Sequence, residues 1–189
     1  MRLRLTKQCS GYRFESGSDS FMDTHLAGAD LSYANLSRVD FSQAHLERSN
    51  LSFAHTNSGA PVMLQSADLN QSDRSNAALP SVNLANANLE NVNLQNSDLI
   101  YADLTGANLH HANLSGARLT GAKLLDTNFQ GTNLTHAKLC FVSLLPNRLN
   151  DAILTGALIT GEEKGFTPEQ KQALEKRGAI TGGTSDRCY

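Results

Sequence analysis

The sequence predicts a solenoid, a chain wound into a stack of short turning units around one long, thin core. Three observations carry this. A leucine-centred unit of five residues recurs along most of the 189 residues. The residue two before each centre is small. The positions in between are mostly polar and variable. Self-similarity at a fixed period marks an architecture in which each unit buries its apolar face only against its neighbours.

The centres run from Phe21 through Leu26, Leu31, Leu36, Phe41, Leu46 and Leu51 to a degenerate Thr56. The phase then slips by three residues, resumes at Leu64 and Leu69, meets Arg74, and continues from Leu79 every five residues to Ile159. Leu, Phe or Ile fills 26 of the 28 centres, which removes chance as an explanation. The residue two before is Ala, Ser, Thr or Val in 26 of 28 units, Asp19 and Asn147 being the exceptions, and the residue directly before is Asp or Asn in 15. A period of five suits neither a helix face, which recurs every 3.6 residues, nor a strand face, which recurs every 2. A turn in every unit resolves this: the centre and the small residue face one interior, and the other three positions face out. Asn, Asp and Gly tolerate the tight backbone such turning needs, so the Asn residues before the centres read as turn formers rather than ligands.

These units resemble the pentapeptide-repeat family, whose motif is A(D/N)LXX. Ala102-Asp103-Leu104-Thr105-Gly106 and Ala112-Asn113-Leu114-Ser115-Gly116 match it without adjustment. The resemblance covers residues 19–161. It implies an all-β fold, a right-handed quadrilateral parallel β-helix with four units per coil and about seven coils. At the ~4.8 Å strand spacing such a rod is about 33 Å long. Four units per coil stack residues twenty apart, so Leu84 and Leu104 share one inner face, Phe129 lies on the next, and Leu31, Leu114 and Leu134 share the third. All six are expected in the core. Residues 1–18 read as an N-terminal lead-in or cap and 162–189 as a C-terminal capping helix and tail.

The interruptions carry the functional interest. Residues 52–63 contain the slip, and Asn57-Ser58-Gly59-Ala60-Pro61 has loop chemistry. Arg74 follows at an inward position, where an unpaired guanidinium is costly to bury. The expectation is that Arg74 turns outward or pairs with Asp73. His55, Asn57, Ser58, Gly59 and Arg74 are then the candidate partner-contact loop, because loops on rigid scaffolds carry binding.

Outward apolar residues gather toward the C-terminal end: Ile100 and Tyr101, Cys140 and Phe141 on one face, Leu125 and Leu145 on the next. They need a cover, either a cap or a second subunit. Thr167-Pro168-Glu169-Gln170 has the signature of a helix start, with Thr as N-cap, Pro at the first position and Gln closing a capping box. The helix is expected over 168–177, ended by Gly178, with Leu174 and Ala173 on its apolar side. Ile100, Tyr101, Leu125, Phe141, Leu145 and Leu174 form the expected cap or dimer patch. The same end offers a homodimer contact if the cap does not close it.

Composition excludes more than it identifies. Sixteen basic residues against eighteen acidic ones give a net charge of −2, too balanced for a nucleic-acid binder. Cys9, Cys140 and Cys188 are odd in number and far apart, which suggests neither a disulfide framework nor a zinc site. No apolar run is long enough to span a bilayer, and no signal-peptide h-region follows the basic N-terminus. The expectation is a cytoplasmic protein without membrane contact. His25 and His45, twenty apart, stack on an outward corner but make a poor metal site alone, and His110-His111 reads as surface. No phosphate-binding glycine loop is present. No triad, metal or cofactor site emerges.

The leading expectation is therefore a non-catalytic scaffold that binds another protein, as monomer or homodimer. The alternative comes from the resemblance: a subgroup of the family mimics B-form DNA and protects DNA gyrase and topoisomerase IV, giving quinolone resistance. Between residues 21 and 160 seven basic and eleven acidic side chains leave 7 − 11 = −4. A mimic of a duplex bearing one charge per ~1.7 Å calls for a stronger, continuous acidic stripe.

Overall fold

The computed structural model describes residues 20–57, 59–144, 146–161, 166–182 and 188. The expected lead-in over residues 1–18 lies outside the described residues.

Each unit makes one turn, and its chemistry repeats. In the unit centred on Leu31, the N–H of Ala34 donates to the Leu31 carbonyl at 3.1 Å, and Tyr33 between them has φ of 59°. Positive φ at the third of four residues, closed by that bond, is a type II turn. The same position has positive φ at Asp23, Arg38, Gln43, Arg48, Phe53 and onward through Phe141, with glycine serving at Gly28, Gly106, Gly116 and Gly121. The residue before each centre holds the turn from the other side. Asp30 Oδ1 accepts the Ser32 N–H at 3.0 Å, Asn50 Oδ1 that of Ser52 at 3.0 Å, and Asn113 Oδ1 that of Ser115 at 3.2 Å. This Asx bond is the physical reason the motif prefers Asp or Asn there.

The remaining backbone groups pair with the next coil. Leu31 N–H donates to Asn50 O at 2.7 Å, and Asn50 N–H donates to Ala29 O at 2.9 Å, a parallel ladder one residue wide. The ladders connect residues twenty apart, as in Asn83↔Asp103 and Asn88↔Asn108. One runs through Ser20, Asp40, Met63, Asn83, Asp103, Lys123 and Ser143. The chain is thus a β-helix whose sides are single bridges. The asparagines also bond along the rod: Asn88 Nδ2 donates to Asp68 Oδ1 at 3.0 Å, and Asn128 Nδ2 to Asn108 Oδ1 at 2.9 Å. Only near the C-terminal end do the bridges widen into strands, β1 (Lys138–Val142) and β2 (Leu158–Gly161), paired in parallel. A 3-10 turn over Pro146–Leu149 lies between them.

The interior is filled by the centres and the small residues. Leu31, Leu84, Leu104, Leu114, Phe129 and Leu134 are all buried, as expected. Each such leucine contributes about 1.5–3 kcal/mol by leaving water. Phe21 and Phe41 stack inside the first coils at 5.3 Å. Where Thr replaces Ala at the small position, its hydroxyl finds a buried carbonyl, Thr127 on Leu104 at 2.8 Å and Thr132 on Leu109 at 2.7 Å.

The slip is narrower than residues 52–63. His55 still pairs with Asn35 and Ala78, and Met63 already pairs with Asp40. Eight positions separate these two bridge residues where five is the rule, so three extra residues leave the coil between them. The excursion is tied down: Asn57 N–H donates to Ser37 Oγ at 2.7 Å, and the Ala60 carbonyl accepts from Arg38 N–H at 3.2 Å.

Arg74 contradicts its expectation. The backbone stays in register, with Arg74 N–H on Asn93 O at 2.7 Å, so the side chain points inward and is 0% exposed. Asp73 does not pair with it. That carboxylate faces outward and accepts from Ser75 N–H at 2.9 Å and Asn93 Nδ2 at 3.1 Å. Alternation of in and out along the ladder leaves no freedom for the two to meet.

The C-terminal end is closed by helix α1 (Pro168–Glu175), two residues shorter than expected. Thr167 Oγ1 accepts the Gln170 N–H at 3.3 Å and Gln170 Oε1 accepts the Thr167 N–H at 2.8 Å, the full capping box. Leu174 is buried on the rod, whereas Ala173 is exposed. Gly178, at φ of 85°, turns the chain back, and its absent Cβ would sit 3.3 Å from Thr155 Cα. The following residues add a last rung: Ile180 N–H donates to Ala157 O at 2.8 Å, and the Ile180 carbonyl accepts from Ile159 N–H at 2.9 Å.

The cysteine reading is corrected as well. Cys140 and Cys188, 48 residues apart, form a disulfide. Distance in sequence was a poor guide because Cys188 lies against the coils that carry Thr120 and Cys140. The Cys188 carbonyl also accepts from Thr120 Oγ1 at 3.0 Å.

Candidate functional site

The repeat spends two positions of five on the interior, so recognition falls to the rest. The last residue with positive φ in each unit leans over the coil that follows. A Cβ on Gly121 would lie 2.5 Å from the Tyr101 ring, so that ring covers the glycine. Tyr101 is 59% exposed and Phe141, two coils along the same edge, is 44% exposed. This edge forms an aromatic–glycine–aromatic surface.

A second aromatic surface escaped the sequence reading. Tyr33 and Phe53 stack at 4.9 Å with ring planes 2° apart, and both are exposed. The signal was present: two aromatics twenty residues apart at the same outward position.

The expected cap patch divides. Tyr101, Phe141 and Leu125 are exposed, and Ile100 is half-buried. Leu174 is not beside them but buried against the end of the rod. The tail covers Cys140 through the disulfide and leaves the aromatic edge open, so α1 is not its cover. Leu145 lies outside the described residues. The expected contact loop divides too. His55, Asn57 and Gly59 are exposed, Ser58 lies outside the described residues, and Arg74 belongs to the interior.

Burial lowers the Arg74 pKa to about 9, which leaves the guanidinium charged at neutral pH. Its Nε donates to Ser72 Oγ at 3.3 Å, while Nη1 and Nη2 have no partner among the described residues.

Surface charges pair from coil to coil. Arg118 meets Asp98 at 3.1 Å, Lys123 meets Asp103 at 3.2 Å and Arg148 meets Asp126 at 2.9 Å. His25 and His45 stack at 4.5 Å, with His45 Nδ1 3.2 Å from Glu47 Oε1. Among the described residues no cluster of His, Cys, Asp or Glu has the arrangement of a metal site. None of their helices is long and apolar enough to cross a membrane. A surface depression of about 390 Å³ is lined by Ala27, Gly28, Glu47, Arg48, Asp68 and Asn70.

The family profile described as "Pentapeptide repeats" matches in eight copies, over residues 20–55, 64–96, 77–116, 87–124 and 112–144. No curated protein matches the sequence. Of three similar solved structures, the first two are described as pentapeptide repeat proteins. HetL of Nostoc sp. strain PCC 7120, involved in heterocyst differentiation regulation, is 23% identical with a TM-score of 0.29, over 82% of this chain and 84% of that one. Rfr23 of Cyanothece 51142 is 26% identical with a TM-score of 0.39, over 69% of this chain and 89% of that one. QnrB1, a plasmid-mediated fluoroquinolone resistance protein, is 17% identical with a TM-score of 0.34, over 94% of this chain and 93% of that one.

Proposed function

The chain belongs to the pentapeptide-repeat family, and from that premise we propose that it is a non-catalytic scaffold that binds another protein through its exposed aromatic edges. The rod is read as right-handed and four-sided, with about seven coils. The carrying observation is that Tyr33, Phe53, Tyr101 and Phe141 are exposed at turn positions where the fold asks only for positive φ. Asn meets that demand at residues 76, 86, 91 and 96. Aromatic side chains there add nothing to the turn, and aromatic residues are the usual anchors of protein interfaces.

The test follows from the same fact. A variant with Tyr33, Phe53, Tyr101 and Phe141 all replaced by Asn keeps the turns, so its melting temperature should stay within a few degrees of the native one. Affinity capture with defined crosslinking from the cell of origin should lose the partner recovered with the native chain. Recovery of the same partner by the variant overturns the reading.

The coil-to-coil ion pairs support this scaffold over mimicry of DNA for gyrase or topoisomerase IV, since each removes an acidic group from any continuous stripe. A supercoiling assay with and without a fluoroquinolone discriminates: inhibition or protection by the purified chain favours mimicry, and no effect removes it. Closure of the C-terminal end by α1 and the Ile180 rung supports a monomer there rather than end-to-end pairing. The disulfide favours an oxidising compartment over the cytoplasm first expected.

A further inference from the structure

We propose that the interior between the second and third coils is a binding site for a small monovalent anion of halide size. Arg74 supplies the charge, and the hydroxyls of Ser49, Ser72 and Thr56 complete the donor set.

Unpartnered polarity is concentrated in one stretch of the rod. Among the described residues, the buried side-chain atoms without a protein partner are Glu47 Oε2, Ser49 Oγ, Thr56 Oγ1 and Arg74 Nη1 and Nη2. All lie between residues 47 and 74. Glu47 is at an outward position, but the others are on the inward pattern. The ladder brings them together: Asp73 N–H donates to Ser49 O at 2.9 Å, so Ser49 and Ser72 occupy neighbouring rungs of one inner face. Thr56 N–H donates to Ala78 O at 3.1 Å, which sets Thr56 on the adjoining face, one coil before Arg74. Thr56 is also shorter than Leu36 and Leu79, which flank it in the same column.

Charge decides the class of ligand. A buried guanidinium needs a counter-charge, because its desolvation is repaid only by an ion pair with its hydrogen bonds met. Asp73 is committed outward, Glu47 sits at an outward position although its Oε2 is covered, and among the described residues no Asp or Glu is buried as a whole. Two Nη groups and three hydroxyls can all donate to one anion. Water would meet the hydrogen bonds and leave the charge. The slip between His55 and Met63 interrupts the regular wall beside the site. A close-packed interior has more room for a halide than for a larger oxyanion.

The test uses the full chain. Thermal melting is compared in chloride and in gluconate at equal ionic strength, for the native chain and for Arg74→Leu. The expected result is a native melting temperature that climbs about 3–5 °C for each tenfold rise in chloride above its Kd, with no such climb for Arg74→Leu. Crystals grown in bromide should show an anomalous peak within hydrogen-bonding distance of Arg74 Nη1 or Nη2. Equal melting in both salts, or an equal chloride response in Arg74→Leu, overturns the proposal. So does density at the site that carries no bromide signal. Should Arg74→Leu fail to fold, the bromide peak in the native chain decides alone.

Discussion

Arg74 shows how little say a single side chain has once the ladder is set. Asp73 before it is bridged to both Asn50 and Asn93, so the Arg74 Cβ points inward whatever its chemistry. The replacement that matches the other centres is leucine. In chloride-free buffer Arg74→Leu should raise stability by about 1–4 kcal/mol, the range seen when buried ions give way to packed apolar groups, read by thermal or denaturant unfolding. The pH dependence has a definite sign. The folded pKa of about 9 lies well below the ordinary guanidinium value, so the folded chain sheds this proton first. The penalty is complete below about 9 and fades as pH climbs from there toward the ordinary guanidinium value. The stability gap between the variant and the native chain should therefore shrink above pH 9, and a constant gap would contradict it. Two glycines make a second contrast. Both Gly28 and Gly121 have positive φ, but only Gly121 lies under a ring. Gly28→Asn should be neutral within about 0.5 kcal/mol. Gly121→Asn must displace Tyr101 and should cost about 1–3 kcal/mol.

At the scale of elements, the C-terminal closure has two separable parts. The helix is short, and helices of this length are not stable alone. Thr167→Ala removes the capping box and should cost about 1 kcal/mol. Leu174→Ala opens a cavity against the rod and should cost about 2–5 kcal/mol. The disulfide acts differently, by restricting the unfolded chain. With a loop of 48 residues its loss in Cys188→Ser should cost about 2–4 kcal/mol. It should also expose Thr120 without melting α1. Amide hydrogen exchange distinguishes these cases: Thr167→Ala should loosen residues 168–175 alone, while Leu174→Ala should also loosen the rung at Ile180. A thiol count on the native chain should give one reactive cysteine of three before reduction.

Over the whole molecule, stability is close to a sum of coil terms and nearest-neighbour stacking terms. Among the described residues Arg74 is the one charged side chain that is buried, so hydrogen-exchange protection should dip around residues 47–78 as well as at the ends. Halide should deepen protection there if the anion site is filled. Recognition belongs to the same scale, because it needs several coils held rigidly in line. Tyr101 and Phe141 form one edge only because the intervening coil carries Gly121.

The repeat legible in the sequence determined the turn, the inward columns and the twenty-residue stacking, because a five-residue period with a large centre and a small partner has one way to bury both. It also marked the capping box, a local pattern whose bonds span three residues. The tertiary structure decided what local pattern cannot carry. Whether Arg74 escapes depended on the bridges on either side of it, not on its own cost. Whether Cys140 meets Cys188 depended on where the tail runs after Gly178. That Leu174 closes the end and leaves the aromatic edge bare depended on the direction α1 takes from the last coil. In each case the deciding contacts are far apart in sequence, and only the wound chain brings them together.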